Sequence, residues 1–318
     1  VASDAKTNEF KINRYIETFA AQAISYCINR GGHTLIPASF SYHRPAGLAE
    51  ALRILSDHGD DARVLAGGHS LIPMMKMRMA NIPHLIDLQD IPDLAQISLE
   101  GNRVVIGAMV TQAQLINDQT LASAAPLMKE AALQIADPQV RYMGTVGGNV
   151  ANGDPANDMP GLMQCLNADF TLIGPNGERT VAARDFYEAA YVTAREDDEI
   201  LTSISFDAHA AGYAYEKQKR KIGDYATAAS AVLLTKDGQA CASASIAMTN
   251  LSDTPIWSQA AGDALVGTTL DDGAIKDAVA AALSDIDPTE DNRGPVAFKM
   301  HVAGVILTRA IQRAWSRA

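Results

Sequence analysis

Apolar residues recur every three and four positions along several stretches of the chain, and each stretch predicts an amphipathic helix. From Phe10 to Ile28 the stripe runs through Ile12, Tyr15, Ile16, Phe19, Ala23, Ile24, Cys27 and Ile28, and Gly31-Gly32 stops it. Leu48, Ala51, Leu52 and Leu55 mark a second helix ending near Gly59. Residues 121–136, 158–167, 272–284 and 295–316 read as helices too, the last with Val296, Met300, Ala303, Leu307, Ile311 and Trp315 on one face. Shorter apolar runs bounded by turn residues predict strands at Arg63–Ala66 and Leu85–Leu88. Ile97–Leu99 and Val104–Ile106 flank Gly101-Asn102 as a hairpin, and Thr171–Ile173 with Pro175-Asn176-Gly177 reads as another. Ala226–Thr235 and Ala240–Met248 form a strand pair joined at Asp237-Gly238.

The pattern changes around Ala208–Gly212, which predicts a domain boundary there. Residues 1–35 are expected to be a helical extension outside the main fold. Residues 36–211 read as an α+β domain with subdomains of about 36–90 and 91–211, and 212–318 as a smaller C-terminal α+β domain.

Charge and cysteine usage narrow the chemistry. With 26 basic and 37 acidic residues the formal charge is −11, which argues against a phosphate-neutralising nucleic-acid surface. No apolar run reaches the ~18–20 uninterrupted residues of a spanning helix, so no integral membrane segment is expected. Cys27, Cys165 and Cys241 form no CxxC pair, and the seven histidines show no HExxH or other metal-ligand spacing. A metal centre within the chain is therefore not expected, and the cysteine usage fits a reducing cytosol. If the protein is a redox enzyme, its redox group is an organic cofactor or sits on another polypeptide.

Two glycine-rich segments stand out: Ala66-Gly67-Gly68-His69-Ser70-Leu71-Ile72-Pro73, directly after a strand, and Thr145-Val146-Gly147-Gly148-Asn149, leading to Asp154-Pro155-Ala156-Asn157-Asp158. Paired glycines let successive amides converge on an anion, and two such loops could grip a pyrophosphate from both sides. A plain turn is the competing reading of each. Neither segment fits GxxxxGK[ST], and neither gives GxGxxG opening a helix. Gly31-Gly32-His33-Thr34-Leu35-Ile36-Pro37 imitates the first segment, but its flanks differ and no third copy follows, so it is read as coincidence.

These two segments, together with Lys76-Met77-Arg78, Tyr215-Glu216-Lys217 and Ile222-Gly223-Asp224-Tyr225-Ala226-Thr227, resemble the FAD-binding medium subunits of molybdenum hydroxylases, most closely the aerobic carbon monoxide dehydrogenase branch. The likeness runs from about Ile36 to the C-terminus, with no counterpart expected for residues 1–35. It implies a two-subdomain FAD-binding fold of the vanillyl-alcohol oxidase and xanthine dehydrogenase flavin type, followed by the smaller C-terminal domain. It also implies FAD as cofactor, a large molybdopterin-binding subunit and a small [2Fe-2S] subunit as partners, and a dimer of heterotrimers. The expected location is cytoplasmic, with peripheral contact at the inner membrane face through the complex. Electrons would come from the partner's clusters and leave through FAD to quinone or another acceptor, with no catalytic side chain required.

Residue by residue, the resemblance makes Arg63, Val64, Leu65, Ala66, Gly67, Gly68, His69, Ser70 and Leu71 the first FAD loop, with amides and the Ser70 hydroxyl meeting the pyrophosphate. Thr145, Val146, Gly147, Gly148, Asn149 and Ala151 become the second. Asp158 would bond the ribityl or adenosine side, with Asp154 on the same turn. Ile135 would flank the flavin ring and Ile106-Gly107 approach it by backbone. Tyr225 is expected near the isoalloxazine, and Lys217 near its polar edge. A stand-alone flavin oxidase and a flavin-free scaffold are the alternatives.

Other residues carry plainer readings. His69 reads as flavin-facing or as a loop histidine bonded to backbone. Met74, Met75, Met77 and Met79 read as packing, and Asp197-Asp198-Glu199 as a turn. Lys217, Lys219, Arg220 and Lys221 are a partner surface or a solvated run. Cys165 reads as a buried, inert thiol.

Overall fold

A computed structural model describes residues 35–210 and 212–318. The helix expected over 10–28, with Cys27 and the Gly31-Gly32 stop, lies outside the described residues.

The first layer is a parallel three-stranded sheet, ordered β1 (Ser41–His43), β3 (His84–Asp87), β2 (Ala62–Leu65). Parallel strands need crossovers. Helix α1 (Leu48–His58) supplies one, burying Ala51, Ile54 and Leu55, and α2 (Leu71–Lys76) lies in the other. The second unit is an antiparallel sheet of β4 (Ile97–Glu100), β5 (Arg103–Gly107), β10 (Ile200–Asp207), β6 (Asp169–Gly174) and β7 (Gly177–Ala182), in that order. Both predicted hairpins are present in it, as β4–β5 and β6–β7. Short helices cover it: α3 (Gln112–Asn117), α4 (Gln119–Ala124), α5 (Pro126–Ala132), α6 (Pro138–Met143), α7 (Val146–Ala151) and α8 (Asp158–Cys165). A two-stranded ribbon, β8 (Tyr187–Ala189) with β9 (Val192–Thr193), completes the unit.

The helix expected over 121–136 is broken. Pro126 carries no N–H, and its ring disfavours helical geometry at Ala125, whose φ is −151°. The chain therefore restarts as α5 and stops at Ala132. Strand β10, at the centre of its sheet, goes unassigned in the sequence reading because a register shift between Leu201 and Ser203 interrupts its alternation.

The third sheet runs β11 (Tyr213–Gln218), β12 (Ala228–Asp237), β13 (Ala240–Thr249), β14 (Ile256–Trp257). It is buried on both faces. Ala229, Ala231 and Leu233 join the core around α8, while Ala228, Val232 and Leu234 face α9 (Gln259–Leu265), α10 (Asp272–Ser284) and α11 (Val296–Arg317). That double burial explains why β12 reads as an unbroken apolar run. Glu130 of α5 ties α11 to the larger unit, accepting from Arg313, from Arg317 at 2.7 Å and from the Tyr215 amide at 2.6 Å. Among the described residues no helix is long and apolar enough to cross a membrane.

Candidate functional site

Strand β2 ends at Leu65 and the chain turns through Ala66–Ser70 into α2. Gly68 makes the turn at φ +73°, a conformation that glycine adopts without strain. Among the described residues, no backbone carbonyl or side chain accepts from the amides of Gly67, Gly68, His69, Ser70 or Leu71. Five consecutive N–H groups are thus open at the end of a strand, the arrangement that cradles anions.

The second glycine loop differs. Its Val146 and Gly147 amides bond Val110 and Ala108 carbonyls at 2.9 Å, and the Gly148 amide bonds Thr145 Oγ1 at 3.1 Å, capping α7. The Asn149 amide bonds the Thr145 carbonyl at 3.1 Å. Its glycines serve close approach instead: a Cβ on Gly147 would fall 2.7 Å from Ala108 Cα. A Cβ on Gly67 would fall 2.8 Å from Gly144 Cα, so the first loop is seated directly on the residue before the second. The two-sided backbone grip expected from the sequence is therefore one-sided: the first loop offers amides, and the second a rigid wall.

Between the loops and β11 opens a cleft of about 520 Å³, within the usual range of small-molecule and cofactor sites. Arg63 through Leu71, Ile135, Thr145, Gly147, Gly148, Asn149, Ala151, Asp158, Lys217 and Tyr225 all border it. Ile106, Gly107, Val146 and Asp154 lie outside its lining. Ile106 and Val146 are core side chains, and Gly107 is pressed against the Leu94 backbone. Asp154 sits in a turn, its Oδ1 accepting from the Ala156 amide at 2.9 Å, and burial raises its carboxyl above the usual range. The neighbouring Tyr191 phenol is pushed up to about 12, first by burial and then by the Asp154 charge.

The deep end of the cleft is an ion pair across the domain seam. Asp158, in the first turn of α8, accepts from Tyr215 Oη at 2.5 Å and from Lys217 Nζ at 2.8 Å. Lys217 also donates to the Gln134 carbonyl at 3.3 Å. Both oxygens of the carboxylate thus already have partners from β11 while the residue borders the cleft. Lys219 donates to Gln134 Oε1 at 2.7 Å, burial lowering its ammonium pKa, and Arg220 pairs with Asp224 at 3.0 Å. The basic run is therefore largely engaged within the chain. Tyr225 hangs at the rim with Arg293 Cζ 5.5 Å from its ring.

The remaining expectations divide. The His69 ring, exposed at the cleft, bonds no backbone group among the described residues. Met75 is core, whereas Met74 lines the cleft and Met77 is exposed. Cys165 is buried, its thiol pushed up to about 12 by burial. Glu199, expected in a simple turn, is a buried carboxylate clasped by Arg179 at 2.6 and 2.7 Å.

Sequence reasoning missed Gln112, Asn157, Arg195 and Glu199 in the lining. Gln112 is 2% exposed, and neither atom of its amide finds a partner among the described residues. The Asn149 Oδ1 is likewise buried and unpaired. A Thr-x-x-Gln capping box, Thr111 to Gln114, fixes the turn that carries Gln112, and was the one available signal. Buried polar atoms without partners are costly. Here they point to a ligand that supplies donors and acceptors beside an anion. FAD, with a pyrophosphate and amide-edged rings, fits that donor set.

Comparison with known proteins agrees. Residues 38–206 match the family model described as FAD binding domain in molybdopterin dehydrogenase, and 213–314 the CO dehydrogenase flavoprotein C-terminal domain. The carbon monoxide dehydrogenase medium chain of Afipia carboxidovorans is 56% identical, over 89% of this chain and 99% of the relative. A solved chain of reconstituted CO dehydrogenase from Oligotropha carboxidovorans superposes with a TM-score of 0.87 at 57% identity, covering 89% of this chain and all of that one. Quinoline 2-oxidoreductase from Pseudomonas putida 86 gives 0.85 at 32% identity, covering 88% and 98%. The chain belongs to the FAD-binding flavoproteins of the molybdopterin dehydrogenases, with FAD as its cofactor.

Proposed function

We propose that this chain is the flavin-bearing electron-transfer subunit of a carbon monoxide dehydrogenase-type molybdenum hydroxylase. The observation that carries the reading is the cleft itself: five open amides and the unpaired Gln112 and Asn149 atoms face one cavity, in a chain 56% identical to a carbon monoxide dehydrogenase medium chain along nearly its whole length. Relatives named for quinoline, caffeine and nicotine substrates stand at 31–32% identity, which favours carbon monoxide as the substrate of the assembly.

Bound FAD supplies reversible redox chemistry that joins single-electron donors to a two-electron acceptor. The chain's own residues bind and orient it. The amides of Gly67–Leu71 take the pyrophosphate, Gln112 and Asn149 fix polar edges, and the Lys217–Asp158 pair sets the charge at the deep end. Substrate oxidation belongs to a large molybdopterin-binding partner, and a small [2Fe-2S] partner delivers electrons, in a dimer of heterotrimers at the cytoplasmic face of the membrane.

The test is reconstitution. The purified chain should bind FAD and oxidise no carbon monoxide alone; with its two partner subunits it should pass electrons from carbon monoxide to a quinone analogue. Turnover by the isolated chain would favour the stand-alone oxidase, and a colourless chain that refuses added FAD would sink the proposal.

A further inference from the structure

Three histidines far apart in sequence meet on the β1 side of the first sheet, whose opposite edge is β2 with its glycine loop. Parallel β1 and β3 pair Ser41 with His84 and His43 with Ile86. Side chains alternate along a strand, so His43 and His84 share a face. His43 Nε2 lies 3.1 Å from His84 Nδ1. His58, the last residue of α1, stacks on His84 with ring centroids 3.7 Å apart and stands 5.7 Å from His43. One ligand-capable nitrogen from each ring lies within 4.8 Å of the other two.

A hydrogen bond between His43 and His84 and the stacking of His58 on His84 hold the rings together at the surface. None of the three is buried, so the trio is not core. Imidazole nitrogens suit borderline first-row ions such as zinc, nickel and copper. With metal–nitrogen distances of 2.0–2.1 Å, tetrahedral ligands stand about 3.3 Å apart. The His43–His84 pair is already near that separation, and ring rotation brings in the third. The surroundings favour a cation. His58 sits in the last turn of an eleven-residue helix, where carbonyl ends attract positive charge. The following turn, Gly59–Asp61, carries the exposed carboxylates of Asp60 and Asp61.

We propose that His43, His58 and His84 form a binding site for a zinc-class divalent cation, separate from the flavin cleft, with solvent completing the coordination. His84 pairs with Ala62 at the start of β2, whereas the glycine loop leaves from its end, about 10 Å along the strand. The ion would clamp β1, α1 and β3 together and stabilise the first subdomain without touching the cofactor.

The test uses the untagged, FAD-loaded full chain with cobalt(II) alone as the probe. One equivalent should bind, giving the intense visible bands of four-coordinate cobalt and a higher thermal midpoint. H43Q, H58Q and H84Q should each weaken binding by more than about tenfold. H301Q should leave it unchanged. Because His58 is the last residue of its helix and is not buried, H58Q retains the fold, and its FAD content reports that. Absence of saturable uptake, a spectrum that stays that of the hexaaqua ion, or uptake equal in wild type and all three variants would overturn the proposal.

Discussion

Lys217 Nζ lies 2.8 Å from Asp158 Oδ2 across the seam between the two domains, with side chains only 1% and 6% exposed. Removing one partner of such a pair leaves the other charge uncompensated in a dry site. K217M should therefore destabilise the chain by about 3–5 kcal/mol, whereas K217M with D158L should recover much of that loss. Urea denaturation of the FAD-free chain measures both. Equal stability of wild type and K217M would show that water reaches Asp158.

The contact between the glycine loops makes a second prediction. A methyl group on Gly67 meets Met143 and Gly144 backbone, which cannot yield as a flexible side chain would. Overpacking of this kind costs about 1–3 kcal/mol, and it acts on the loop whose amides are open. G67A should lower FAD affinity by at least tenfold while far-ultraviolet circular dichroism stays unchanged. At Gly68 the cost is conformational: an alanine at φ +73° adds about 1–2 kcal/mol. G68A should weaken FAD binding in the same direction. Fluorescence recovery of released flavin reads both, and undiminished affinity in either would remove the first loop from the cofactor site.

Gln112 allows the ligand's contribution to be separated from the fold's. Neither polar atom of its buried amide has a partner among the described residues, so replacing the amide with a thioether chain removes a cost rather than a bond within the chain. Q112M should leave the FAD-free chain as stable as wild type or slightly more so. It should also lose about tenfold in FAD affinity, the value of one or two hydrogen bonds. A variant equally weakened in both measurements would mean that Gln112 is structural.

The two glycine segments were legible because paired glycines flanked by Ser, Thr and Asn are rare punctuation with a physical meaning. Their division of labour was not. Whether an amide is open depends on a carbonyl brought from elsewhere, and the second loop meets Ala108 and Val110 only after β5 has folded back against it. Arg195 was invisible for the same reason, while Gln112 and Glu199 stood in segments whose local signatures, a capping box and a turn, say nothing of a cleft. Pro126 did announce a break that the apolar periodicity of 121–136 concealed. Spacing rules also looked past the histidine trio, because they detect ligands on one helix or loop and these arrive from two strands and a helix.

Arg179 and Glu199 give the last prediction, a dependence on pH. Arg179 donates to both carboxylate oxygens of Glu199, and the Glu196 amide adds a third bond at 2.8 Å. The Arg179 hydrogen bond chiefly holds the carboxyl below its ordinary value of 4.5, against the opposing effect of burial. A carboxyl with a depressed folded pKa binds its proton more tightly in the unfolded chain. Its stabilisation is therefore complete above about 4.5 and is lost as pH falls through the folded value. E199Q keeps the shape and removes the charge. It should lower the thermal midpoint at pH 7 by about 2–4 °C, and the gap to wild type should narrow steadily below pH ~4.5. Thermal denaturation of both FAD-free chains across that range decides it: a gap that is constant with pH, or that widens on acidification, would mean that the pair contributes through shape and not through charge.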